Sequence, residues 1–168
     1  MVSKSEGVDT QWANVENVYQ RRADLIPNLV NTVKGYADFE KETLTSVIEA
    51  RSKATSITID PTNLTPETMG QFQKAQGAVS SSLSKLMVVM ERYPDLKANQ
   101  NFMDLQVQLE STENRIATER RKFNEVAKVY NTFIQLFPKN IWAGMFNFEK
   151  KPYFQADAGA DKAPKVEF

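Results

Sequence analysis

The stretch that decides the fold is DLKANQNFMDLQVQLESTENRIATERRKFNEVAKVYNTFIQLF, running from Asp95 to Phe137. It contains neither proline nor glycine, so nothing in it breaks a helix. Within it Phe102, Leu109, Ile116, Phe123, Tyr130 and Phe137 recur at every seventh position, with Leu105, Val126 and Phe133 interleaved. That spacing lines one face of an α-helix with large apolar side chains. A helix this long with a single apolar stripe must bury the stripe against other helices, which predicts an all-α protein.

Working outward, Tyr93-Pro94-Asp95 ends whatever precedes this helix, and Asn99 or Asn101 can cap its start. Upstream, Thr65-Pro66-Glu67 supplies an N-cap hydroxyl, a proline at the first helical position and an acid in the first turn. A helix from there to about Arg92 would face Met69, Phe72, Val79, Leu83, Leu86, Met90 and Tyr93 inward. Between Asp9 and about Ala54 another stripe appears: Trp12, Val15, Tyr19, Ile26, Leu29, Val33, Tyr36, Leu44 and Val47. Pro27 interrupts it, and the stripe's continuity across residue 27 predicts one helix kinked there rather than a fresh start. The three long helices would measure about 70, 40 and 60 Å at about 1.5 Å per residue. Short connections make neighbours antiparallel.

Beyond Pro138 the residues change character, with Ile141, Trp142, Met145, Phe146, Phe148, Tyr153 and Phe154 crowded around Gly144 and Pro152. The middle helix is too short to cover its partners fully, and this aromatic segment is expected to close the remaining apolar strip. The expected architecture is an elongated antiparallel four-helix bundle: three long helices plus a short C-terminal one. It would occupy residues 1–155, with 156–168 as a flexible tail holding little to bury. Phe137 to Phe154 also mixes Trp, Phe and Lys as membrane-interface segments do. Three long helices, however, would leave Pro138 at the tip far from the amino terminus, which argues for docking on the bundle instead.

Composition removes several kinds of chemistry. The 168 residues hold no His and no Cys, which excludes imidazole catalysis, thiolates, disulfides and nearly all zinc sites. Lys plus Arg and Asp plus Glu number 21 each, so no bulk charge draws the chain to nucleic acid. The basic side chains Arg120, Arg121, Lys122 and Lys128 alternate with Glu119 and Glu125, the pattern of a solvated helix face. No phosphate-binding glycine loop appears, and an inward-carboxylate metal bundle would need histidines that are lacking. No cofactor is implied. No run of about 18 apolar residues occurs that could span a bilayer.

Charges nevertheless fall in the seam. Arg22 and Glu40 stand where an aliphatic residue is expected, so they either pair inside or snorkel to the bundle edge. If the first and third long helices run parallel, Arg22 lies level with Thr112 and Glu113, and Glu40 level with Tyr130. The candidate polar seam is therefore Arg22, Glu40, Glu113, Asn114, Arg115 and Tyr130. An enzyme or small-ligand site would require a carboxylate, Asn and Tyr cluster such as Glu113, Asn114 and Tyr130 to converge on a pocket.

Several ordered motifs carry a resemblance. They are Arg21-Arg22-Ala23-Asp24-Leu25-Ile26-Pro27-Asn28-Leu29-Val30, Lys34-Gly35-Tyr36-Ala37, Glu40-Lys41-Glu42-Thr43-Leu44 and Tyr93-Pro94-Asp95-Leu96-Lys97-Ala98-Asn99. Glu110, Thr112-Glu113-Asn114-Arg115-Ile116, Tyr130-Asn131 and the close from Phe137-Pro138 to Pro152-Tyr153-Phe154 continue the pattern. Over residues 11 to 155 the chain resembles the bacterial LemA family. The resemblance implies a helical bundle behind one amino-terminal transmembrane helix, in an envelope protein located at the bacterial membrane. It assigns no catalytic residue. Two departures stand out, Phe39 where the family often has His and Ser111 where it often has Gly. The reading that follows is a membrane-tethered helical module, here its soluble domain, acting as a scaffold or interaction partner for unidentified envelope proteins.

Overall fold

The structure is a computed structural model that describes residues 1–36 and 40–156. Its described residues form helices joined by turns and loops, with no strand. The helices are α1 (Val2–Lys34), α2 (Lys41–Ser56), α3 (Pro66–Met90), α4 (Pro94–Lys97), α5 (Gln100–Gln135) and α6 (Lys139–Met145), with a 3-10 turn at Pro61–Asn63. The chain is an all-α bundle. The expected caps are in place: Thr65 and Thr68 form a reciprocal capping box with Pro66 behind it, and the Asn99 side chain accepts from the Phe102 N–H at 3.1 Å. Phe39 and residues 157–168, on which two of the sequence expectations bear, lie outside the described residues.

One boundary differs from expectation. Residues 9–54 do not form a single kinked helix. Helix α1 passes through Pro27 and ends at Lys34, and helix resumes at Lys41. Pro27 is solvent-facing, while Leu25, Ile26, Leu29 and Val30 on either side of it are buried, so packing holds the helix across the missing donor. The chain then reverses. Arg51 in α2 donates from Nε to the Ala23 carbonyl at 2.7 Å, which sets α2 antiparallel against α1. The apolar stripe runs on past residue 40 because Leu44, Val47, Ala50 and Ala54 enter the same core as Leu29 and Val33.

This reversal gives four rods, up and down in turn: α1, α2, α3 and α5. Helices α1 and α5 pack along their length, and α2 packs on both α1 and α3. Gln11 meets Glu119 and Arg22 meets Glu113, so α5 runs antiparallel to α1. The parallel register assumed from the sequence is thereby corrected. Two apolar clusters stack along the axis. One gathers the C-terminal half of α1 with α2, the C-terminal half of α3 and Phe102, Leu105 and Leu109 of α5. The other gathers Val8, Trp12, Val15 and Tyr19 with Met69, Phe72, Phe123 and Tyr130. Trp12 is its centre, 5.1 Å from Phe72, 5.6 Å from Phe123 and stacked on Phe154 at 5.9 Å.

Helices α3 and α5 are held apart, and the gap is closed by the extended segment after α6. Only the end of the aromatic segment covers the apolar strip, Phe148 in part and Phe154 fully, and in extended rather than helical form. Ile141, Trp142, Met145 and Phe146 of the expected fourth helix stay exposed, and α2 takes the place of the fourth rod. Asn147, at φ 56°, takes the left-handed conformation that asparagine tolerates, and the Phe148 N–H then reaches back to the Ala143 carbonyl at 2.8 Å. From there residues 149–156 run back along α5.

Candidate functional site

Among the described residues Arg22 is the most buried charge, with 1% of its surface exposed, and it sits between the two apolar clusters. Its Nη1 donates to Ser80 Oγ at 2.7 Å and to Glu113 Oε1 at 2.8 Å. Its Nη2 donates to the Gln76 carbonyl at 3.0 Å and to Gln76 Oε1 at 2.6 Å. The guanidinium also lies 5.2 Å from the Tyr19 ring centroid. One side chain of α1 therefore fastens α3 and α5 at mid-height, and the planar fork of arginine suits this better than a lysine point charge. Glu113 keeps a wet side, its side chain being 41% exposed.

The other seam residues do not join this pair. Glu40 stands at the N-cap position of α2 without a side-chain capping bond and meets Arg92 at 3.2 Å, both side chains being well exposed. Asn114 and Arg115 are exposed. Tyr130 lies 17 residues beyond Glu113 on α5, about 25 Å away along the axis. It donates to the Glu149 carbonyl at 3.0 Å, and burial, then Asp9 and Glu149, push its pKa above the usual tyrosine value. Glu113, Asn114 and Tyr130 consequently do not converge on a pocket. Among the described residues no group of three or more Asp, Glu, His or Cys is placed to hold a metal, and no helix is long and apolar enough to cross a membrane.

The gap between α3 and α5 holds an arrangement that sequence reasoning missed. Three side-chain amides grip the main chain of the extended segment, each by a pair of hydrogen bonds. Asn131 accepts from the Lys151 N–H at 2.8 Å and donates to the Lys151 carbonyl at 2.8 Å. Asn124 does the same with Phe154, at 2.8 and 3.0 Å. From the facing helix, Gln73 accepts from the Gln155 N–H at 3.1 Å and donates to its carbonyl at 2.7 Å. Arg120 also donates to that carbonyl at 2.8 Å, and its guanidinium lies 5.1 Å from the Phe154 ring centroid.

Geometry explains why this works. Asn131 and Asn124 are seven residues apart on α5, a rise of about 10.5 Å, and Lys151 and Phe154 are three residues apart in extended chain, a rise of about 10 Å. A helix offering an amide every heptad therefore reads an extended chain at every third residue. The signal was present in the sequence: Asn124 and Asn131 each follow a seam aromatic, Phe123 and Tyr130, at heptad spacing. At the same end Lys151, 8% exposed, donates to the Pro61 carbonyl at 2.9 Å and lies 3.5 Å from Asp9 Oδ1.

Among the described residues the groove continues past Gln155 toward Arg22, with a volume of about 670 Å³. Its walls are Gly70, Gly77 and Ser81 of α3 and Glu113, Ala117 and Arg120 of α5. A Cβ added at Gly70 or Gly77 would meet nothing within 4 Å, so these glycines leave the groove wide.

Against known proteins, the family model described as the LemA family matches residues 11–168. The chain belongs to the LemA family. This LemA-family chain is 26% identical over 179 residues to magnetosome protein MamQ 2 of Paramagnetospirillum magneticum, covering 95% of the chain and 65% of that protein. It is 28% identical over 142 residues to protein LemA of Metamycoplasma hominis, covering 84% of the chain and 61% of that protein. It thus spans somewhat less than two thirds of these relatives, whose names state no reaction or substrate.

Proposed function

We propose that this chain is the helical interaction module of a membrane-tethered bacterial envelope protein, a scaffold that holds an extended peptide segment of a partner in the groove between α3 and α5. The observation that carries this reading is the groove itself. It already holds one extended segment through amide pairs that address backbone rather than side chains, and among the described residues it runs on beyond Gln155. Main-chain hydrogen bonds supply affinity for an extended peptide, and flanking pockets supply selectivity.

A photo-crosslinking residue placed at Gly77 in the full-length protein, expressed in its native bacterium, tests the reading. It should trap a defined partner, and sequencing should locate the crosslink in an unfolded or extended stretch of it. The same probe at Ile48, exposed on α2 away from the groove, should trap none of it. Equal labelling from both positions would reject the groove as the working surface.

A further inference from the structure

The end of the bundle where α5 finishes carries an apolar cap that the fold leaves uncovered. Leu136, Phe137, Ile141, Trp142, Met145 and Phe146 are all at least half exposed, and Phe137 reaches 80%. Of the residues of α6 only Ala143 is buried, so the helix does not serve to close the core. Trp142 and Phe146 stack on each other at 6.2 Å rather than on the bundle. Contiguous exposed apolar surface of this kind marks a binding surface.

Charge says what covers it. From residue 129 to residue 148 the chain holds one lysine, Lys139, and no acid. Lys139 and Lys4 both place their ammonium groups over the Phe133 ring, at 4.1 and 5.3 Å from its centroid. Lys128 and Lys150 are exposed on its flanks, against Glu125 and Glu149. A convex cap of Trp, Phe, Ile and Met, with lysines able to extend outward from it, matches the interfacial zone of an anionic bilayer, where aromatic rings sit at headgroup level and ammonium groups meet phosphate.

The topology supplies orientation. Four rods return α5 to the end where α1 begins, so the cap lies beside the amino-terminal turn of α1 instead of at the distal tip that three rods would have given. On the tethered reading proposed above, that is the end facing the membrane. We infer that the α6 cap is a second, peripheral membrane contact, docking on anionic lipid and fixing how the bundle stands on the bilayer.

Tryptophan emission tests this directly. The chain has two tryptophans, and Trp12 is fully buried while Trp142 is 52% exposed, so lipid-induced change reports Trp142. Adding the 168-residue chain to phosphatidylcholine vesicles containing phosphatidylglycerol should shift emission to the blue, and brominated acyl chains should quench it; Trp142→Phe should abolish both. Phe137→Ser with Met145→Ser should weaken binding at least about tenfold with unchanged circular dichroism, since both side chains are exposed. Lys4→Gln or Lys139→Gln should each weaken binding to the anionic vesicles about fivefold and leave neutral vesicles unaffected. No blue shift and no quenching with the anionic vesicles would overturn the inference. So would a shift that follows protein concentration in the absence of lipid, which would make the cap an interface between copies. The tether is judged separately: full-length protein in the membrane fraction, with no vesicle binding by this chain, would sink the cap alone.

Discussion

Removing the charge of Glu113 should show what the mid-bundle clasp contributes. Two unit charges 2.8 Å apart interact by about 1.5 kcal/mol in water and by about 6 kcal/mol at an effective dielectric of about 20. Glu113 is partly wet, which places the pair toward the lower figure, so a coupling of about 1.5–3 kcal/mol is expected. Glu113→Gln keeps the shape and should cost that amount. Arg22 would then retain Ser80 and Gln76 as acceptors, which prevents a larger loss. Arg22→Met keeps most of the volume but leaves Ser80 and Gln76 without their donor, and should cost about 3–5 kcal/mol. In the double variant the two losses should fall short of adding by the coupling energy. Urea unfolding of the four proteins measures it, and for a domain of this size Glu113→Gln should lower Tm by about 4–10 °C. A coupling below about 0.3 kcal/mol would refute the clasp.

Truncating the amide clamp by Asn131→Ala strands the buried N–H and C=O of Lys151, and should cost about 2–4 kcal/mol while speeding hydrogen exchange at the Lys151 amide, visible by NMR. Phe154→Ala should cost about 3–5 kcal/mol and shift Trp12 emission to the red, because the ring stacked on that indole is lost. Pro27→Ala should raise Tm, since Pro27 is solvent-facing within an unbroken helix and alanine restores a donor; an unchanged or lower Tm would argue against the α1 described. Burial raises the pKa of Glu16 above its ordinary 4.5, the Trp12 indole partly opposing it. A raised pKa favours the folded state below the unfolded value and loses that benefit as pH climbs through the folded one. Glu16→Gln should therefore stabilise the protein near neutral pH, with an advantage that fades as pH falls through the raised value and is gone below about pH 4.5, followed by Tm against pH.

How far the residues alone could reach is clearest in α1 and α2. The stripe from Trp12 to Val47 was legible, and so were the caps at Thr65 and Asn99, because period and capping are local properties of the backbone. The reversal between Lys34 and Lys41 was not. Both arms of the hairpin face one core, so the apolar period continues across a change of direction, and only Gly35 hinted at it. The Arg22 to Glu113 contact arises in the antiparallel register although a parallel one suggested it, because the two registers cross near the middle of the rods. Away from the middle they diverge, which is why Glu40 meets Arg92 and Tyr130 meets Glu149. Phe137 continues the heptad in sequence yet is exposed, since the α5 helix has ended one residue before Leu136.

The amide clamp divides the same way. Asn124 and Asn131 at heptad spacing were visible on the page, but their partners are backbone groups of residues 151 and 154, and a sequence gives no sign of which main-chain groups will lie beside a given amide. The amino acids by themselves determined that this chain would be helical, how long most of its helices would be, and which faces would seek apolar company. Only the tertiary structure decided which way each rod points, what fills the gap between α3 and α5, and at which end the aromatic cap is left uncovered. The physical reason is range: helix period and capping are settled within a few neighbouring residues, whereas direction and pairing depend on burying surfaces far apart along the chain.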